Sequence, residues 1–100
     1  MDLSAIRCSL QVALLGAITA NLRAVNIICD KDLMWLNFYY ENSPSETETE
    51  LSEIVVSEVW ANFNKIVIKV NRRILSLSEQ IPEEGVRVYQ RYEPAPEGDL

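Results

Sequence analysis

The chain has 100 residues with 9 Lys+Arg, 15 Asp+Glu and no His, so its formal net charge is -6. Length points to one domain with a thin core, and 48% apolar residues exclude disorder throughout. Without His there is no His-based acid–base pair, no Ser-His-Asp arrangement and no His metal ligand. The acidic balance argues against binding a nucleic-acid backbone and favours a basic partner. Cys8 and Cys29 sit in apolar contexts without a Cys-x-x-Cys pattern, which predicts two buried, reduced thiols. Arg7 and Cys8 interrupt the first apolar stretch, a poor signal peptide, and no apolar run is long enough to cross a membrane. A soluble cytoplasmic protein is expected, with no membrane partner.

In chain order, Leu3, Ile6, Leu10, Ala13, Leu14, Ala17 and Ile18 recur at helical steps, predicting a helix over 3–18 that Gly16 can end early. Residues 22–40 read as a β-hairpin turning at Asp30-Lys31-Asp32. In its second strand Met34, Leu36, Phe38 and Tyr40 alternate toward a core, while Leu33, Trp35, Asn37 and Tyr39 take a half-exposed face. Ser43 with Glu46 has capping-box spacing, and Pro44 then opens a helix running to Phe63. Its apolar stripe reads Leu51, Ile54, Val55, Val59 and Phe63. Lys65 to Val70 is a short third strand, residues 71–81 suit neither period and read as extended chain then loop, and Val86 to Tyr92 is a fourth strand. The expected fold is α+β in the order α-β-β-α-β-β. It has a four-stranded, mainly antiparallel sheet and both helices packed on one face. Residues 1–92 form the domain and 93–100 a flexible tail.

Charge is unevenly placed. Glu41, Glu46, Glu48, Glu50, Glu53 and Glu58 follow one another without an intervening base, and Glu46, Glu50 and Glu53 share one helical face. That face reads either as solvated helix surface or as a docking face for a basic protein. The carboxylates do not converge on one centre, so no metal site is expected, and no cofactor is implied. Glu83 and Glu84 begin a second acidic region, and Lys65, Lys69, Arg72 and Arg73 form the only positive block. Trp35 and Tyr39 are the aromatic anchors expected beside the first acidic run. The predicted partner-binding set is therefore Trp35, Tyr39, Glu46, Glu50, Glu53, Glu83 and Glu84.

Ala20-Asn21-Leu22-Arg23-Ala24-Val25 leads into a hairpin ending Asn37-Phe38-Tyr39-Tyr40. Ser43-Pro44-Ser45-Glu46 then opens a helix containing Val56-Ser57-Glu58-Val59 and ending near Ala61-Asn62-Phe63. Over about residues 3–92 this resembles small bacterial immunity proteins of contact-dependent growth-inhibition and related polymorphic toxin systems. The resemblance implies a cytoplasmic protein, not an enzyme, that binds a cognate toxin domain, often a nuclease, and blocks it. An acidic adaptor or regulatory subunit for another protein is the alternative. A small enzyme is the third reading, restricted to Asp, Glu, Tyr, Cys and Lys as acid–base groups.

Overall fold

The computed structural model describes residues 2–63 and 65–94. The elements are α1 (Leu3–Leu14), β1 (Leu22–Asp30), β2 (Leu33–Tyr40), α2 (Glu46–Asn62), β3 (Val67–Ile74) and β4 (Val86–Gln90). The order is the expected α-β-β-α-β-β, and the domain is α+β. The strands lie in the order β3-β2-β1-β4. β1 pairs antiparallel with both β2 and β4. β2 and β3 are parallel, because α2 returns the chain to the end of the sheet where β2 began.

Both helices pack on one face. Met34, Leu36, Phe38 and Tyr40 are buried there, as their alternation predicts. They meet Ile6, Leu10, Ala13 and Leu14 of α1 and Val55 and Val59 of α2. Each large apolar side chain removed from water there contributes about 1.5–3 kcal/mol, the main force holding this half together. In β1, Val25 and Ile27 continue this core, and a bulge between Leu22 and Ala24 lets Leu22 join them. Arg23 and Ala24 are thereby turned to the other face.

Several boundaries differ from expectation. α1 stops at Leu14, because Gly16 adopts φ 82, where a left-handed residue closes the helix. Leu15 and Ile18 consequently lie exposed beyond it. The capping box of α2 is Ser45 with Glu48, not Ser43 with Glu46. Ser45 starts the same four-residue pattern two positions later, and Glu48 is there also held by Asn21 and Thr19. Ile54 faces solvent, its place in the buried stripe taken by Ser52. β3 begins at Val67 rather than Lys65 and continues through Asn71 to Ile74, the extended part expected ahead of the loop, and β4 ends before Tyr92. Cys8 and Cys29 are free and exposed rather than buried, Cys8 on the outer side of α1 and Cys29 near the hairpin turn.

The second face carries no helix. Residues 75–85 cross it from β3 at one edge of the sheet to β4 at the other. Leu75 and Ile81 bury Ala24 and Tyr39 beneath this strap. Polar groups complete the attachment. Arg23 Nη1 donates to the carbonyls of Leu75 (3.2 Å), Ser76 (2.9 Å) and Glu79 (2.9 Å). Asn26 Nδ2 and Arg87 Nη2 both donate to the carbonyl of Pro82. Gly85 ends the strap at φ 65, and a Cβ there would lie 2.0 Å from the Ile27 carbonyl oxygen, so only glycine fits. Glu93, the first residue of the expected tail, is anchored by the Arg23 guanidinium through two contacts of 2.8 Å. Residues 95–100 of that tail lie outside the described residues.

Candidate functional site

The helical repeat of α2 sets Glu46, Glu50, Glu53, Ser57 and Trp60 opposite the buried Ser52, Val55 and Val59. All five are exposed. Trp60 and Ile54 each present about half of their surface, at 52%. Arg72, whose Nη2 lies 3.9 Å from Glu53 Oε1, is the one cation in salt-bridge range of the stripe among the described residues. Glu53 remains 67% exposed, so the contact leaves its charge largely available to a partner.

Glu48 belongs to the same acidic run but has a structural task. It accepts from Thr19 Oγ1, from Asn21 Nδ2 at 3.3 Å and from the Ser45 amide at 3.1 Å. Partial burial works against its ionised form, yet these hydrogen bonds prevail and hold the carboxyl below its ordinary value. The acids of α2 thus divide by position: Glu48 ties the start of the helix to the chain entering β1, while Glu46, Glu50 and Glu53 point away from the domain.

The other predicted residues lie elsewhere. Trp35 is half-buried on the face opposite the helices, with Lys69 Nζ 5.6 Å from its ring centre. With Ile28, Asn37, Asn71, Arg73 and Glu84 it lines a cleft of about 320 Å³ beside the strap. Glu83 and Glu84 line a neighbouring cleft with Asn26, Gly85, Arg87 and Gln90. Tyr39 is not an exposed anchor. It is 0% exposed, capped by Leu75 and Ile81, and Arg73 lies over its ring at 5.7 Å. The strap, which has no periodic signature, is what covers it. Trp35 and Glu84 therefore come together, whereas Glu46, Glu50 and Glu53 stand on the far side of the sheet from both.

Trp60, which is not among the residues expected from the sequence, lies exposed at the end of this acidic line. Its signal was available in the sequence, because it lies seven residues after Glu53 on the same helical line.

A sequence model of the MafI2 immunity protein family matches residues 4–93. The chain belongs to the MafI2 immunity protein family. It is an immunity protein against a bacterial toxin, in line with the resemblance of its segments, and its partner is a cognate toxin. No curated protein matches the chain. No helix among the described residues is long and apolar enough to cross a membrane. Nor are three or more His, Cys, Asp or Glu side chains placed together to hold a metal ion among those residues.

Proposed function

We propose that this immunity protein neutralises a basic toxin domain, of nuclease type, by covering it with the outer face of α2. The observation that carries the reading is the stripe of Glu46, Glu50 and Glu53 running into the half-exposed Trp60. Nucleases present positive surfaces to phosphate, and an acidic stripe draws such a surface in and sets its orientation. Charge speeds the encounter, and a tryptophan at the end of the stripe supplies the apolar anchor that tight binding requires. The anchoring part first expected of Tyr39 falls to Trp60, because Tyr39 is inside the domain. Neutralisation of this kind is steric and electrostatic, without bond chemistry on the immunity protein. Trp35, Glu83 and Glu84 form a separate patch across the sheet and are not required by this mode of binding.

The test is titration calorimetry of Glu46→Lys/Glu50→Lys/Glu53→Lys against the cognate toxin domain, with circular dichroism as the folding control. Reversal of the three charges is expected to weaken binding at least about a hundredfold, each position contributing up to about a factor of ten. Trp60→Ala alone should cost about tenfold or more, and rising salt should slow association of the parent protein. Unchanged affinity in the folded triple variant would remove the α2 face from the interface.

A further inference from the structure

β3 forms one edge of the sheet and is unusually open for a strand of eight residues. Val67 N donates to Asp32 O at 2.8 Å, and Leu75 N donates to Tyr40 O at 2.7 Å. In a parallel ladder alternate residues bond the same neighbour, so Val67, Lys69, Asn71 and Arg73 turn their backbone toward β2. The N–H and C=O groups of Ile68, Val70, Arg72 and Ile74 then point away from the sheet. No strand lies on that side among the described residues. Neither proline nor a bulge interrupts this edge. The opposite edge is different: β4 has five residues and follows Pro82 and Gly85.

The side chains define what fits. Ile68 and Val70 lie on the helix-covered face with Arg72, and Ile74 is 53% exposed. Lys69, Asn71 and Arg73 occupy the other face and are exposed. From Lys65 to Leu77 the chain carries Lys65, Lys69, Arg72 and Arg73 and no acid, in a protein of net charge -6. A second copy is a poor match. Antiparallel pairing of two β3 edges about Asn71 would set Lys69 of each copy beside Arg73 of the other, and like charges in register repel. An acidic strand is the complement.

We propose that the β3 edge accepts an extended segment of the toxin as a fifth strand of the sheet. The segment alternates acidic with apolar residues, its carboxylates meeting Lys69 and Arg73 and its apolar side chains extending the row of Ile68, Val70 and Ile74. This inference rests on the reading that α2 contacts the toxin. Arg72 of β3 meets Ser52 and Glu53 of α2, so the strand edge and the acidic stripe are continuous. A toxin that covers the stripe with a basic surface also reaches the edge. The two adjoining surfaces carry opposite sign, which fixes register and rejects partners matched to one of them only.

Amide exchange followed by NMR on the labelled immunity protein, free and bound to an inactive variant of its cognate toxin domain, decides the matter. In the free protein the amides of Ile68, Val70, Arg72 and Ile74 exchange fast and those of Lys69, Asn71 and Arg73 slowly. In the complex the first set slows by at least about a hundredfold, as it does when opening requires release of a partner strand. Lys69→Glu/Arg73→Glu, with circular dichroism as the folding control because the two cations lie over the Trp35 and Tyr39 rings, should weaken binding by about tenfold or more. A complex in which the first set keeps its free rate overturns strand addition while leaving the α2 reading intact. Slow exchange of that set already in a dimer of the free protein overturns it in favour of a second copy. If calorimetry detects no complex, toxin binding and strand addition fall together.

Discussion

The two faces of the sheet are held by different physics. On the helix-covered face, Met34, Leu36, Phe38 and Tyr40 of one strand meet aliphatic side chains from two helices. On the strap-covered face the apolar contribution is small, with Leu75 and Ile81 over Ala24 and Tyr39. Arg23 supplies much of the rest there, at 4% side-chain exposure, by gathering three strap carbonyls and Glu93. Apolar burial is non-directional and tolerant of repacking, whereas a buried guanidinium is useful only while every partner stays in place. One face is therefore a continuous core, and the other is a loop stapled at a few points.

The largest expected effect separates these modes. Phe38→Ala removes a ring that is 1% exposed and stacks at 6.4 Å on Tyr40, and should cost about 3–5 kcal/mol. Because that core is shared by both helices, the whole domain should unfold at lower denaturant as one unit. A midpoint equal to that of the parent protein would show that the helix-covered face is not the main store of stability.

What the sequence made legible follows the same division. The helix-covered face could be read in advance because apolar alternation in β2 and helical spacing in α1 are direct consequences of burial. The strap could not. Residues 71–81 carry no period because part of the segment is an edge strand and part is held by Arg23, a residue distant in the chain. Tyr39 was misplaced for the same reason, since alternation tells which face a side chain takes and not what later covers that face. Of the candidate site, the shared face of Glu46, Glu50 and Glu53 was legible from helical geometry. Its separation from Trp35 and Glu84 was not, because β2 hands the chain to a helix on the other side of the sheet.

Acid should sharpen the contrast at the next lower magnitude. The Arg23 guanidinium, helped by Arg91, outweighs partial burial and holds the Glu93 carboxyl at about 2, against an ordinary value of 4.5. A carboxyl depressed by folding stabilises the native state above its unfolded value, and that contribution is lost as pH falls from 4.5 toward 2. For Glu93 the loss is at most about 3 kcal/mol. Arg23→Met should remove much of this acid sensitivity and cost about 3 kcal/mol at neutral pH, since it leaves the strap carbonyls unpaired and Glu93 with Arg91 alone. Urea midpoints at pH 7, 4 and 3 for both proteins give the comparison, and Glu48, unchanged in both, cancels. Unlike Phe38→Ala, this variant should also speed amide exchange selectively in the strap. Parallel pH profiles for the two proteins would mean that Arg23 is not what binds Glu93.

The smallest effect tests the least satisfied atom of the stapled face. Tyr39 Oη is buried and has no hydrogen-bond partner among the described residues. Its ring, by contrast, is well placed, with Arg73 on one side and Leu75 and Ile81 over it. A hydroxyl buried without a partner loses its bonds to water and gains none in return. Tyr39→Phe keeps the ring, the cation and the apolar cover and deletes only that oxygen. The variant should be as stable as the parent or gain up to about 1 kcal/mol, measured as a rise in the urea midpoint at unchanged slope. The sign is informative because every other polar group named on this face contributes by being bonded, so deleting one of them destabilises. A loss of more than about 1 kcal/mol would show that the hydroxyl is bonded in solution, to a water held under the strap. The strap-covered face would then be fully satisfied, and its weakness would lie in the number of its attachments rather than in an unmet one.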